Sequence, residues 1–393
     1  MNALSSLLRA LLDLFSGLFS GSRPPAEPPA PSSGSSGSPA GTPTPSSGSG
    51  GSPNYSFGTP PDSSGSAAAP VTPPPAGPVT PPDSQAEPVK PQSPRVLVVV
   101  FDPIVDPAKG THLLQTPDAG HWSSVDTLLA GYIGDVTACS GGLVNYQVVD
   151  RLTRDYFPVK QDGFTYSGPA YLQAYRTGQY HSPDLANYDP LVADLQLLER
   201  VARGDFDEVW LFGGPGFGFY ESRMGGPGAF WCNAPAIDNT AAAGRRFVIM
   251  GFSYERGVGE MLEDLGHRAE SIMDYRWRAV PDAQNLWKKY ARYDLVAPGQ
   301  AQVGMLHFAP NSVKPYDWGN TTPVSSAADS WLSFPDLSAP PKSMTCSAWG
   351  NGDIRLHHQW WLKHLPRVPG RISGVANNWW RYVIGVADPE LDW

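Results

Sequence analysis

Apolar and polar positions divide the chain into three stretches. In residues 1–22, Leu4, Leu7, Leu8, Leu11, Leu14, Phe15 and Leu18 fall on one side of a helical wheel. Asn2, Ser5, Ser6, Arg9, Asp13, Ser16 and Ser20 fall on the other. That spacing predicts an amphipathic helix. Two readings of it compete. One is a secretory signal, with Ser20, Gly21 and Ser22 as the small residues near a cut, although Arg9 and Asp13 interrupt its apolar middle. The other is an uncleaved helix in which residues 1–21 lie on a membrane surface or a partner. Residues 23–94 show no apolar periodicity. They are Pro, Ser, Gly, Ala and Thr with two near-repeats, APVTPPPAG and GPVTPPDS. Such a stretch buries too little to offset its ordering entropy and is expected to be a disordered tether.

From Arg95 the pattern becomes that of a folded domain, residues 95–393. The run Val96–Phe101, closed by Asp102-Pro103, predicts a buried strand. Further strands are expected within 142–152, 207–213 and 245–252. Leu191, Leu195, Leu198 and Val201 predict a helix over 188–202, and another starts near Arg256. Beyond Gly299 loops and short strands dominate, with a last helix over 353–365 stopped by Pro366. Alternation of strands and helices argues for a single globular mixed α/β domain.

Composition sharpens this division. All 13 Trp, but only half of the 42 Pro, lie after Arg95. The net charge of −9 with no basic run argues against a nucleic-acid partner. Cys139, Cys232 and Cys346 form no CxxC, which disfavours a cysteine zinc site. One disulfide with a free thiol and three buried thiols both remain open.

The segment Arg256–Trp277 carries the most chemistry. Val258, Met261, Leu262, Leu265, Ala269, Ile272 and Met273 share one face. Glu260, Glu263, Asp264, His267, Ser271 and Asp274 share the opposite one, with Glu270 at its edge. Glu263 and His267 are at i and i+4, one turn apart, so both side chains reach the same ion. A borderline cation such as zinc accepts imidazole and carboxylate together. Solvation of an ordinary polar helix face is the competing explanation. Arg256, Arg268 and Arg276 flank the acids, for intrahelical pairing or for substrate steering.

The run Glu263-Asp-Leu-Gly-His267-Arg-Ala-Glu270 resembles the HExGH helix of zincin metallopeptidases. His267 and Gly266 match the second His and its preceding Gly, Asp264 falls at the general base, and Glu263 replaces the first His. The resemblance covers roughly 30 residues and implies a zinc or other divalent metal site with His267 and Glu263 as ligands. The third ligand is His307, in MLHFAPN, or Glu270, and the general base is Asp264 or Glu260. The rest of the domain resembles uncharacterised exported bacterial proteins, and the tether resembles those joining modules of secreted bacterial hydrolases.

Other motifs yield rivals. The loop 213–232 is Gly-rich but lacks GK[ST] and a helix start, so neither a P-loop nor a dinucleotide site is expected. Its Phe217, Phe219, Tyr220, Phe230 and Trp231 suggest a groove wall, with Glu221 as a general acid or substrate contact. The paired Trp360–Trp361 and Trp379–Trp380 keep a carbohydrate-active or carbohydrate-binding protein in play, with Glu221, Asp102 and Glu255 as carboxylates. His357, His358 and His364 do not define a metal site by spacing, and Ser140 has no GxSxG support. The reading favoured is an exported, secreted or envelope-associated metal-dependent hydrolase of zincin type. Its substrates are peptide or glycopeptide, within a partner range of protein, glycoprotein or polysaccharide. A zincin-like scaffold that lost its metal and only binds is the third reading.

Overall fold

The computed structural model describes residues 89–391 and 393. The expected amphipathic segment 1–22, and the tether as far as residue 88, lie outside them. The folded part begins ahead of Arg95: the Gln92 backbone donates to Leu143 O and accepts from Asn145 N.

In chain order the strands are β1 (Arg95–Phe101), β2 (Ile104–Asp106), β3 (Thr111–His112), β4 (Gln147–Arg154), β5 (Glu208–Gly213), β6 (Ser222–Gly225), β7 (Phe247–Ser253), β8 (Val324–Ser326), β9 (Lys342–Met344), β10 (Arg367–Ile372) and β11 (Val375–Asn378). The α-helices are α1 (Val125–Cys139), α2 (Gly168–Thr177), α3 (Tyr188–Asp194), α4 (Leu197–Arg203), α5 (Val258–Trp277), α6 (Leu286–Tyr290), α7 (Ile354–Lys363) and α8 (Trp379–Ile384).

The central sheet has the order β4-β1-β5-β7-β6. β4, β1, β5 and β7 run parallel, and β6 closes one edge antiparallel to β7. Both faces of this sheet are covered, which is why β1 and β5 read as unbroken apolar runs. Val96, Val98, Val100, Trp210 and Met250 pack on one side with α1, α5, α7 and α8. Leu97, Val99, Phe101, Leu211 and Ile249 pack on the other with α2, α3 and α4. The chain is thus an α/β domain with a mixed sheet. Among the described residues no helix is long and apolar enough to cross a membrane.

Three expected elements change. The helix over 188–202 is broken by Gln196, which takes a left-handed φ of 50° between α3 and α4. The helix over 353–365 is not the last, because the β10–β11 hairpin and α8 follow it. The Trp pairs are mostly core: Trp361, Trp379 and Trp380 are fully buried and offer no face to a sugar, while Trp360 is half-buried. Cys139, Cys232 and Cys346 are buried, unpaired thiols.

The placement of α5 prepares the site. It follows β7 directly and buries thirteen of its twenty residues, including Asp264, His267 and Arg268. Its polar face is therefore mostly enclosed by protein. Two glycines make that possible. A Cβ at Gly259 would lie 2.7 Å from Ile354 Cγ2, and one at Gly266 would lie 2.4 Å from Leu306 Cδ1. They admit α7 and the segment around Leu306 to within backbone distance of the helix.

Candidate metal centre

Because Gly266 lets Leu306 approach, the next residue, His307, reaches across to the polar side of α5. His307 Nε2 lies 2.9 Å from His267 Nε2 and 2.7 Å from Glu263 Oε1. Glu263 Oε1 and His267 Nε2 are 3.9 Å apart. The two imidazole planes are nearly perpendicular, at 87°. Glu263, His267 and His307 are the one group of three or more His, Cys, Asp or Glu donors within 4.8 Å of one another among the described residues. Tetrahedral zinc with bonds of about 2.0–2.1 Å places its donors roughly 3.3 Å apart. The observed 2.7, 2.9 and 3.9 Å bracket that spacing. The residues present therefore fit a small divalent cation held by two imidazoles and one carboxylate.

Glu270 occupies a different place from that of a ligand. Its Oε2 lies 2.9 Å from His267 Nδ1, on the far side of the ring from the converging Nε2. Its Oε1 accepts the Leu306 N–H at 2.7 Å. One carboxylate thus orients His267 and anchors the backbone that carries His307. A carboxylate behind a ligating imidazole fixes its tautomer and raises its basicity.

The surrounding charges explain the proton affinity of His267. Burial alone would lower the His267 pKa. The Glu270 hydrogen bond, with the charges of Glu221, Glu270 and Glu263, outweighs it and raises the value to about 9. Burial likewise opposes ionisation of Glu263, but the hydrogen bond from His307 and the nearby His267 hold it below the ordinary carboxylate range. The field that holds a proton on His267 is the field that would hold a cation.

The three candidate bases have separate fates. Glu260 folds back to accept the Gly257 N–H at 3.0 Å and caps α5, which removes it from the chemistry. Among the described residues Asp264 makes no hydrogen bond or ion pair, and burial, with the charges of Glu221 and Glu263, raises its pKa well above the usual range. Glu221 is held by the Asn233 side-chain amide, and the Asn233 backbone N–H donates to Ser271 Oγ on α5 at 2.9 Å. Asn233 does this from a left-handed backbone, φ 53°. The negative charge of Glu221 bears on His267, Asp264 and Tyr316.

Two residues of the site carried no signal in the sequence. Asn233 is one. Tyr316, also left-handed at φ 62°, is the other; its ring stands 4.2 Å from the His307 ring and is 42% exposed. Its backbone N–H donates to His307 O. Trp318 Nε1–H donates to Leu306 O at 3.0 Å and steadies the segment from beneath.

The remaining histidine cluster is structural. His357 stacks on Trp318 with ring centroids 5.0 Å apart, His358 Nδ1–H donates to Gly259 O, and His364 Nδ1–H donates to Trp360 O. Burial drives His357 well below its ordinary pKa and His358 down to about 3, so both are neutral. Ser140 is fully buried and ties the turn after α1 through Thr137 O and Val144 N. Of the carbohydrate carboxylates, Asp102 caps a loop through Leu114 N, while Glu255 is exposed. Phe217 is core, whereas Phe219, Tyr220 and Trp231 are half-buried.

Comparison of the chain with family models, with curated proteins and with solved structures found no match.

Proposed function

We propose that the chain is a metal-dependent hydrolase whose ion is held by Glu263, His267 and His307, in the manner of the zincin peptidases that the Glu263–Glu270 run resembles. The observation that carries this reading is the convergence of three donor atoms from two separate segments, backed by Glu270 on His267 Nδ1. Three protein donors leave a fourth position for water or substrate, the pattern of catalytic rather than structural zinc. When bound, such an ion acidifies a water molecule and polarises a carbonyl.

The side chains around it divide the remaining work. Glu221, held by Asn233, would serve as the base that takes a proton from an attacking water and returns it to the leaving group. Burial favours the protonated form of Asp264, which suits a positioning role better than that of a base. Tyr316, 42% exposed and with its ring against His307, gives that side of the cluster an apolar surface. That surface supports peptide or glycopeptide as substrate over small polar molecules. The amphipathic pattern of residues 1–22 and the tether composition support an exported or envelope-associated protein.

The test is cleavage of a panel of denatured proteins and glycoproteins by zinc-loaded chain, with Glu221→Gln as control. Turnover by the wild type alone, with equal zinc in both, supports the assignment. Equal turnover by both, or none by either, refutes it.

A further inference from the structure

Three arginines flank the acids of α5, and the protein uses two of them. Arg268 is fully buried and donates to Glu208 at 2.8 Å. Arg276 donates to Gly374 O at 2.7 Å and lies over the Tyr382 ring. Arg256 is different. Its side chain is 55% exposed, and its ionic partner is Glu260 at 3.9 Å, beyond hydrogen-bond length. Glu260 is meanwhile engaged with Gly257 N. Among the described residues the Arg256 guanidinium donates no hydrogen bond, which leaves a planar fork with all its donors open.

Its position does not serve helix stability. Arg256 immediately precedes Gly257, the N-cap of α5. A cation there meets the positive end of the helix dipole, which disfavours it. The same charge does reach the site, bearing on Glu263, Asp264 and Tyr316. The Tyr316 hydroxyl, on the ring that covers His307, also makes no hydrogen bond among the described residues. The donor cluster itself contains the acid Glu263, and Arg256 offers an exposed cation at the start of the same helix.

We propose that the substrate carries a carboxylate that the Arg256 fork receives at the start of α5, while the bond to be cleaved lies at the ion. The proposal rests on the hydrolase reading. A guanidinium recognises a carboxylate by two parallel hydrogen bonds, a match that an ammonium does not reproduce. The carboxylate comes from the end of a peptide chain or from an acidic side chain; the chemistry is shared.

Three probes separate these sources: a hydroxamate joined to leucine as the free acid, to leucine amide, and to glutamic acid amide. Calorimetry on the zinc-loaded full chain gives their affinities. The proposal expects at least one acid probe to bind about tenfold tighter than leucine amide. The free leucine acid marks the chain end, and the glutamate amide marks the side chain. Arg256→Gln should abolish that preference while leaving leucine amide binding and the melting temperature unchanged; Arg256→Lys should restore only part of it. Equal binding of all three probes to wild type overturns the proposal alone. A preference that persists in Arg256→Gln also overturns it, by placing the anion elsewhere. If no probe binds zinc-loaded chain, the hydrolase reading falls and takes the proposal with it.

Discussion

His267 Nε2 and His307 Nε2 stand 2.9 Å apart, close enough to share a proton or to flank a cation. His267 Nδ1 is committed to Glu270, and His307 Nε2 also lies 2.7 Å from Glu263 Oε1. A cation between the two nitrogens and the carboxylate satisfies all three atoms at once. The backing carboxylate follows from this. Glu270→Gln keeps the shape but weakens the hold on His267, and zinc affinity should fall about 10–100-fold. Competition with a fluorescent zinc chelator reads this. An unchanged affinity would show that Glu270 serves the fold alone.

Gly266 controls the distance between α5 and Leu306. A Cβ there would stand 2.4 and 2.6 Å from the two methyl carbons of Leu306. Overpacking of this kind costs about 1–3 kcal/mol, and the better helix propensity of alanine returns about 1 kcal/mol. Gly266→Ala should therefore cost little stability in denaturant titration yet move His307 and lower zinc affinity at least tenfold. Loss of stability with affinity intact would contradict the coupling.

The raised pKa of His267 has a definite sign in the metal-free chain. A folded value of about 9 against an unfolded value near 6.5 contributes stability that is complete below about 6.5. That stability is lost as pH rises through 9. Zinc needs the unprotonated ring, so its affinity climbs across the same interval. The rise in melting temperature on adding zinc should grow from pH 6.5 to 9. A rise that stays flat or shrinks would exclude His267 as a ligand.

Asp264 and Glu221 separate in the same experiment. Asparagine resembles a protonated aspartic acid in shape, so Asp264→Asn should retain most turnover and all metal. Glu221→Gln should keep the metal and lose activity by about 10²-fold or more. The reverse outcome would return the base to the position that the zincin resemblance implies.

Much of this was legible in the chain. The apolar run Val96–Phe101 announced an interior strand, and the i, i+4 pair Glu263 and His267 with distant His307 pointed to the three side chains that the fold brings together. The helix α1 escaped notice although Val125, Leu128, Leu129, Tyr132, Val136 and Cys139 keep helical spacing. Gly131 and Gly134 obscured it. Gly131 is present because a Cβ would lie 2.7 Å from Val258 Cγ2 on α5. The polar face of α5 looked solvent-facing because spacing alone does not show what packs on it. Glu270 was ambiguous for a related reason: three residues from His267 suits either a ligand or a partner of Nδ1, and only the ring orientation decides. Asn233 and Tyr316 depend on left-handed backbone at non-glycine residues, which no local pattern announces. Composition placed the end of the tether at Pro94, but the Gln92 backbone bonds are invisible to composition.

That boundary has a measurable consequence. A chain beginning at Val89 keeps the bonds from Gln92 to Leu143 and Asn145, at 2.7 and 2.9 Å, whereas one beginning at Arg95 loses both. The shorter form should melt a few degrees lower, since about 1 kcal/mol shifts a domain of this size by roughly 2–4 °C. Equal melting temperatures would place the boundary back at Arg95.

The central claim is one divalent ion held by Glu263, His267 and His307. Equilibrium dialysis of the full chain against micromolar zinc, followed by elemental analysis, tests it directly. The prediction is one zinc per wild-type chain and almost none in His267→Ala or His307→Ala, with unchanged circular dichroism. Zinc-free wild type, or alanine variants that bind as much as wild type, would contradict it.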